Sequence, residues 1–232
     1  MAPLTTVVIP VRDEDQKVLV KLLYELDRYG YPIILVDDGS KVPVTGADIR
    51  FETPRGYGAA LKAGIDKANT DLIATMDGDG QHTAYDVKRL EEFMCYLPQN
   101  SMVVGDRRLK ERGQRYWGRK GLNWTASLFA GRWIGDLNSG LRLFNRAIAV
   151  GYFPILCNGF SFTTSLTLAM LADRLTVDWL PIKVLPRKHG QTKVHVWRDG
   201  WITLRTILWI GCALRTRTFR NRSRKCWAWL RA

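Results

Sequence analysis

The sequence predicts an α/β fold, a mostly parallel sheet sandwiched by helices, followed by a C-terminal amphipathic helical segment. Three observations point there. Short β-branched runs alternate with stretches of helical spacing along the first half of the chain. Aspartates and glycines gather where those runs end. The 232 residues, 46% hydrophobic and 25% charged, are enough to bury one substantial core.

The first strand is Thr5 to Val11 (TTVVIPV) and the second Pro32 to Val36 (PIILV). Between them, Lys17 to Tyr29 carries apolar residues at Val18, Leu22, Leu23 and Leu26, which is helical spacing. The alternation continues with a weak strand at Asp48 to Phe51, a helix from Gly58 to Ala68 and a strand from Asp71 to Met76. A helix from Tyr85 to Met94 and a strand from Ser101 to Gly105 complete it. Strands separated by helices of this length form a mostly parallel sheet covered on both faces, and such sheets bind ligands at the carboxyl ends of their strands. Asp37, Asp38, Asp77 and Asp79 lie at those ends.

From Asp106 onward the pattern loosens into Arg-rich, Gly-punctuated segments, with a helix predicted over Phe162 to Ala172 and a short strand near Ile182 to Leu185. These read as additions to the same sheet. Trp201 to Leu214 is apolar but contains Arg205 and falls short of the about 20 residues that cross a bilayer. The expected division is residues 1–198 as the main domain and 199–232 as a basic, membrane-associating segment.

The formal charge is +13. Arg215, Arg217, Arg220, Arg222, Arg224, Lys225 and Arg231 supply seven of those charges within the last 18 residues, so +6 remains for the body. A polyanionic neighbour is implied, whether nucleic acid, anionic lipid or a phosphorylated substrate. Trp197, Trp201, Trp209, Trp227 and Trp229 lie near or inside the basic segment, a combination suited to a lipid interface, or to packing on the sheet. Cys95, Cys157, Cys212 and Cys226 show no metal-ligand spacing, which fits reduced thiols. The first ten residues lack the pattern of a secretory signal, so the expected location is cytoplasmic, peripherally associated with the cytoplasmic face of a membrane.

The sharpest local signal is Asp77-Gly78-Asp79-Gly80-Gln81-His82, directly after an apolar strand. Two carboxylates at a strand end, spaced by glycine, make a hard-oxygen site for Mg2+ or Mn2+ bridging a diphosphate. A solvated Asp-Gly turn has the same composition. Val36-Asp37-Asp38-Gly39-Ser40 offers acids to a base or ribose, and Arg55-Gly56-Tyr57-Gly58 precedes a helix whose first amides could face a phosphate. His82, His189 and His195 are too dispersed for a metal triad.

The ordered set VVIPVRDE, VDDGS, RGYGAALKAG, MDGDGQH, VVGDRR, NSGLRLF and RKHGQTK, across residues 5 to 195, resembles the family 2 glycosyltransferases, and within them the dolichol-phosphate mannose synthase-like polyprenyl-phosphate glycosyltransferases. The resemblance implies a GT-A fold, a nucleotide-sugar donor, a divalent metal and an inverting displacement. It assigns Pro10, Arg12, Glu14, Asp37, Asp38, Gly56, Asp77 and Gly78 to the nucleotide-sugar, and Asp77, Asp79 and Gln81 to metal and diphosphate. Lipid-phosphate contacts fall on Arg107, Arg119, Ser139, Arg142, Arg187 and Lys193, with Arg115 close to Arg119. Asp77, Asp79, Arg107 and Arg142 become the catalytic set.

A lipid phosphate carries about −1.5 to −2 charges at neutral pH, and planar arginine forks suit its oxygens. Many relatives carry an acid within the stretch that here reads Gly159 to Ser165, which has none. A hydroxyl acceptor needs a general base, generally contributing about 10²–10⁴-fold, whereas a phosphate is already ionised. The missing acid therefore favours a phosphate nucleophile over a hydroxyl, although Asp136 or Asp106 could still serve as a base. Transfer to a sugar hydroxyl stays open, and a basic nucleic-acid-binding protein is the reading from another class, opposed by the acidic pair and the absence of a recognition motif. The expected partners are a nucleotide-sugar, polyprenyl phosphate and an anionic membrane surface, with no nucleic acid; a membrane-protein partner or self-association stays open.

Overall fold

The computed structural model of the chain describes residues 5–107, 114–185 and 196–215, with the backbone alone described at 114–119, 129, 196–199 and 211–215. Its seven strands are β1 (Thr5–Val11), β2 (Ile33–Asp37), β3 (Ile49–Arg50), β4 (Leu72–Thr75), β5 (Met102–Asp106), β6 (Arg142–Asn145) and β7 (Val177–Pro181). They lie side by side in the order β3-β2-β1-β4-β6-β5-β7. Every neighbouring pair is parallel except those made by β6, which runs antiparallel to both β4 and β5. Helices α1 (Gln16–Arg28), α2 (Tyr57–Lys67) and α3 (Ala84–Met94) connect the first strands as right-handed crossover geometry requires. α4 (Gln114–Ala130), α5 (Arg146–Tyr152), α6 (Phe162–Ala172) and α7 (Val196–Arg215) follow.

Two apolar layers flank the sheet. On one face Val8, Val36, Ile73, Val104 and Phe144 pack against Leu61 and Ile65 of α2 and Phe162, Leu166 and Met170 of α6. On the other, Ile9, Leu35, Ala74 and Leu143 meet Leu19, Leu22 and Leu26 of α1 and Val87 and Leu90 of α3. Alternation along each strand feeds the two faces in turn. A third cluster, outside the sheet, joins Ala126 of α4, Leu168 of α6 and Ile207 and Ile210 of α7.

Three elements fall where the sequence reads as loosened: α4, β6 and α5. β6 is only four residues long and begins with a fully buried arginine, so neither its length nor its pattern announces a strand. The last strand lies at Val177–Pro181, earlier than the predicted Ile182 to Leu185. Asp178 breaks the apolar run there, yet the ladder to β5 spans Val177 to Pro181 and ends with one further bond from Ile182 N to Asp106 O (2.9 Å). Ile182 and Val184 look strand-like because they pack onto the core from an irregular segment. α7 starts at Val196, inside the predicted main domain, and is packed on α4 and α6.

Candidate active site at the carboxyl ends of β1, β2 and β4

The chain leaves β1 toward β2 on one side and meets β4 on the other, so the sheet has its switch point at β1. The loops after β1, β2 and β4 converge at the carboxyl ends. The amide of Asp13 donates to Ser40 Oγ (2.9 Å) and the amide of Lys41 to Asp13 Oδ1 (2.8 Å), which ties the first two loops together. Beside them lies an open cavity of about 460 Å³ whose lining includes Glu14, Gln16, Ser40 and Lys41. Pro10 is buried in the β1 ladder, and Arg12 is exposed just past its end.

Asp37 and Asp38 serve the backbone in this structure. Asp37 is fully buried and accepts from the amides of Ser40 (2.8 Å) and Val44 (3.2 Å), with Arg50 Nη1 at 3.5 Å. Burial pushes its carboxyl up, but the Ser40 and Val44 hydrogen bonds and the Arg50 charge outweigh that and hold it below its ordinary value. Asp38 accepts from the amides of Arg55 (2.7 Å) and Gly56 (3.1 Å). The turn before α2 is thus closed by a protein carboxylate, and the amide of Ala59 is taken by Asn158 O (3.0 Å). The sequence leads one to expect free amides facing a phosphate there; Arg55, Gly56 and Ala59 spend theirs inside the protein.

Asp77, half-buried, follows β4 and is held from two sides. Tyr57 donates its phenol to Asp77 Oδ1 (2.8 Å). Gly140 supplies the other wall, since a Cβ there would lie 2.4–2.6 Å from the carboxylate atoms. Gly140 is itself fixed by Thr75, which donates its hydroxyl to Gly140 O (2.7 Å). Asp79 is buried, and its Oδ1 accepts from the amide of Gln81 (3.0 Å). Leu185 donates its amide to Gln81 O (3.0 Å), which ties the residues just after β7 to the acidic loop. Asp77, Asp79 and Gln81 form an all-oxygen donor set within five residues, which suits Mg2+ or Mn2+. Among the described residues no group of three or more His, Cys, Asp and Glu side chains is arranged to hold a metal ion. A cation here would complete its shell with oxygens from elsewhere, as a diphosphate provides, and the donor set fits that use.

His82 is buried, and its Nδ1 has no hydrogen-bond partner among the described residues. Burial holds the imidazole below its ordinary value, against the pull of Asp77 and Asp79. The Tyr57 phenol is pushed well above its usual range by burial first and by the Asp77 charge second.

Behind the acidic pair sit two arginines. Arg107, at the end of β5, grips Asp136 in bidentate fashion, Nε to Oδ2 at 2.5 Å and Nη2 to Oδ1 at 3.1 Å. Arg142 is fully buried and donates to Ser139 O (2.8 Å), Leu137 O (2.6 Å) and Thr167 Oγ1 (2.6 Å). Burial lowers its guanidinium to about 10, which leaves it charged at neutral pH and within reach of Tyr57, Asp136 and Asp77. In this conformation Arg142 braces the loop from Leu137 to Gly140. Ser139 Oγ is buried without a partner among the described residues. Arg119 lies in α4 with its side chain outside the described residues, as are Arg187 and Lys193 entirely.

The structure therefore brings together Asp77, Asp79, Gln81, Arg107 and Arg142 from β4, β5 and β6, and leaves Arg12 and Glu14 in the neighbouring loop after β1, with Pro10 inside the strand. Tyr57, Gly140 and Asn158 matter to this arrangement; the first two lie inside the quoted motifs RGYGAALKAG and NSGLRLF, but the sequence assigns none of the three a role. Tyr57 and Asp77 are 20 residues apart, and nothing in either segment announces the other.

The family model described as Glycosyl transferase family 2 matches residues 6–156. An undecaprenyl-phosphate 4-deoxy-4-formamido-L-arabinose transferase of Photorhabdus laumondii is 30% identical over 188 residues, covering 68% of this chain and 57% of that protein. One of the same name from Pseudomonas fluorescens is 27% identical over 221 residues, covering 83% of this chain and 60% of its own. The chain thus spans less than two thirds of the length of these relatives. Among solved structures, glucosyl-3-phosphoglycerate synthase from Mycobacterium tuberculosis, in complex with Mn2+, UDP-glucose and phosphoglyceric acid, superposes with a TM-score of 0.72 at 15% identity. That match covers 89% of this chain and 79% of the other, and it establishes the likeness of fold.

Proposed function

Since the chain belongs to glycosyl transferase family 2, we propose that it is an inverting, metal-dependent glycosyltransferase that moves a sugar from a UDP- or GDP-linked donor to polyprenyl phosphate. The donor would lie across the loops after β1, β2 and β4, its nucleoside toward Glu14 and Ser40 and its diphosphate toward Asp77, Asp79 and Gln81. A Mg2+ or Mn2+ ion bound there supplies positive charge against the leaving diphosphate. An oxygen of the lipid phosphate attacks the anomeric carbon, the bond to the donor diphosphate breaks, and the nucleoside diphosphate leaves.

One observation carries the choice of acceptor. Asp136, one of the two acids a hydroxyl acceptor would call on as a base, has both oxygens engaged by Arg107, and Gly159 to Ser165 at the start of α6 holds no acid. A phosphate nucleophile needs neither. Arg107 is then the cation best set to meet the acceptor, with Arg142 lending charge from behind, and Arg119, Ser139, Arg187 and Lys193 as further contacts. The relatives named for transfer to undecaprenyl phosphate support the same choice.

Membrane association is part of the proposal. No described helix is long and apolar enough to cross a bilayer. α7 turns Thr203, Thr206, Ile207 and Ile210 inward and leaves Trp201, Ile202, Arg205, Leu208 and Trp209 outward. Trp124 and Leu128 of α4, the helix α7 packs on, are exposed as well. An outward face of tryptophan with arginine fits a peripheral site on an anionic surface.

The test supplies labelled UDP- and GDP-sugars, polyprenyl phosphate and Mn2+ or Mg2+ to the wild-type chain and to Asp79→Ala. Label is expected in organic-extractable product only with metal and only with the wild-type chain. Undiminished transfer by the folded Asp79→Ala protein contradicts the metal assignment, and failure of every donor to bind contradicts the function.

A further inference from the structure

We infer that Tyr57 is a positioning residue for the acidic loop, its phenol and the Gly140 wall fixing the Asp77 carboxylate in the orientation that meets cation and diphosphate. The inference rests on the reading of Asp77 as a metal and diphosphate ligand.

Asp77 stands beyond the last paired residue of β4, Thr75, so the sheet ladder does not orient it. What orients it comes from two other segments. Tyr57 reaches Oδ1 at 2.8 Å, and Gly140 lies so close that a Cβ on it would meet both carboxylate oxygens at 2.4–2.5 Å. A carboxylate held by a hydrogen bond on one oxygen and crowded by a close backbone segment has less rotational freedom before any ligand arrives. Ligand binding then incurs less ordering cost.

Tyr57 is in turn fixed more firmly than a surface tyrosine. It is the first residue of α2, and the preceding Gly56 takes φ +104, a conformation that favours glycine, at a point where a Cβ would lie 2.6 Å from Asn158 O. Its ring stacks on Phe160, with centroids 5.5 Å apart and an interplanar angle of 23°. Asn158 is held from the same helix, since Lys62 Nζ donates to Asn158 Oδ1 (2.8 Å) and to Leu156 O (2.6 Å). Tyr57 thus links Asp77 to residues 156–160, the segment that leads into α6.

Tyr57→Phe keeps the ring and its stacking and removes one hydrogen bond. The full chain is titrated with Mn2+ in the presence of UDP or GDP, with free Mn2+ read by electron paramagnetic resonance, for wild type, Tyr57→Phe and Asp77→Asn. Losing such an outer partner is expected to weaken Mn2+ binding about 10- to 100-fold, with the melting temperature close to wild type. In turnover, Tyr57→Phe is expected to need more Mn2+ and to recover much of its kcat at saturating metal, a split that a merely structural role does not produce. If Asp77→Asn weakens Mn2+ binding and Tyr57→Phe does not, the inference is overturned while the metal assignment survives. If Asp77→Asn binds Mn2+ as wild type does, or wild type binds none with either nucleotide, both fall.

Discussion

Gly140 sits where a methyl group would press to within 2.4–2.6 Å of the Asp77 carboxylate. Gly140→Ala should therefore move Asp77, lowering turnover about 10- to 100-fold and destabilising the fold by about 1–3 kcal/mol. Activity measured beside urea unfolding separates the two, and an alanine variant with wild-type turnover would show that Asp77 tolerates displacement. At this scale the acidic loop was legible, because two carboxylates and glycines directly follow an apolar strand. Its supports were not. Gly140 lies 63 positions from Asp77, and a glycine needed for close approach looks in sequence like any turn glycine. Arg142 illustrates the converse: the resemblance implies a role at the lipid phosphate, and no local pattern announces that its side chain is buried, donating to the carbonyls of Leu137 and Ser139.

The strand-to-loop junctions hold much of the site's rigidity, and that after β2 depends on Asp37. Its folded carboxyl lies below the ordinary 3.8, so the stabilisation it gives is present above that value and is lost as pH falls through the folded one. Urea unfolding across pH should show wild type more stable than Asp37→Asn at pH 6, with the gap closing below about pH 4. A gap independent of pH would exclude the ionised carboxylate as its source. Parallel strands and their crossover helices were read closely, since each is a buried β-branched run or a 3.6-residue stripe. β1 and α6 match to the residue. β6 escaped because its four residues begin with a buried arginine and end on Asn145, and β7 because Asp178 interrupts its pattern.

Across the whole molecule, the three-helix cluster of α4, α6 and α7 carries exposed tryptophans at Trp124, Trp201 and Trp209. Trp201→Ser with Trp209→Ser removes two side chains that are 63% and 56% exposed, so the fold should persist while binding to anionic vesicles falls. Co-sedimentation checks this, and unchanged binding would assign the membrane contact to another surface. The sheet and its acids were predicted as one architecture because local propensity and pattern agree throughout the first half. In the second half packing decides: the sequence leaves open whether the Trp201 to Leu214 stretch lies at an interface or packs as a core helix, and Ile207 and Ile210 of α7 join a core cluster with α4 and α6. The most direct test of the account offers the wild-type chain one labelled nucleotide-sugar, metal and equal amounts of polyprenyl phosphate and the corresponding polyprenol. Label in the phosphate lipid alone is predicted, since the site supplies cations and keeps Asp136 occupied. Label in the polyprenol, or in neither lipid while a sugar hydroxyl accepts it, would contradict the account.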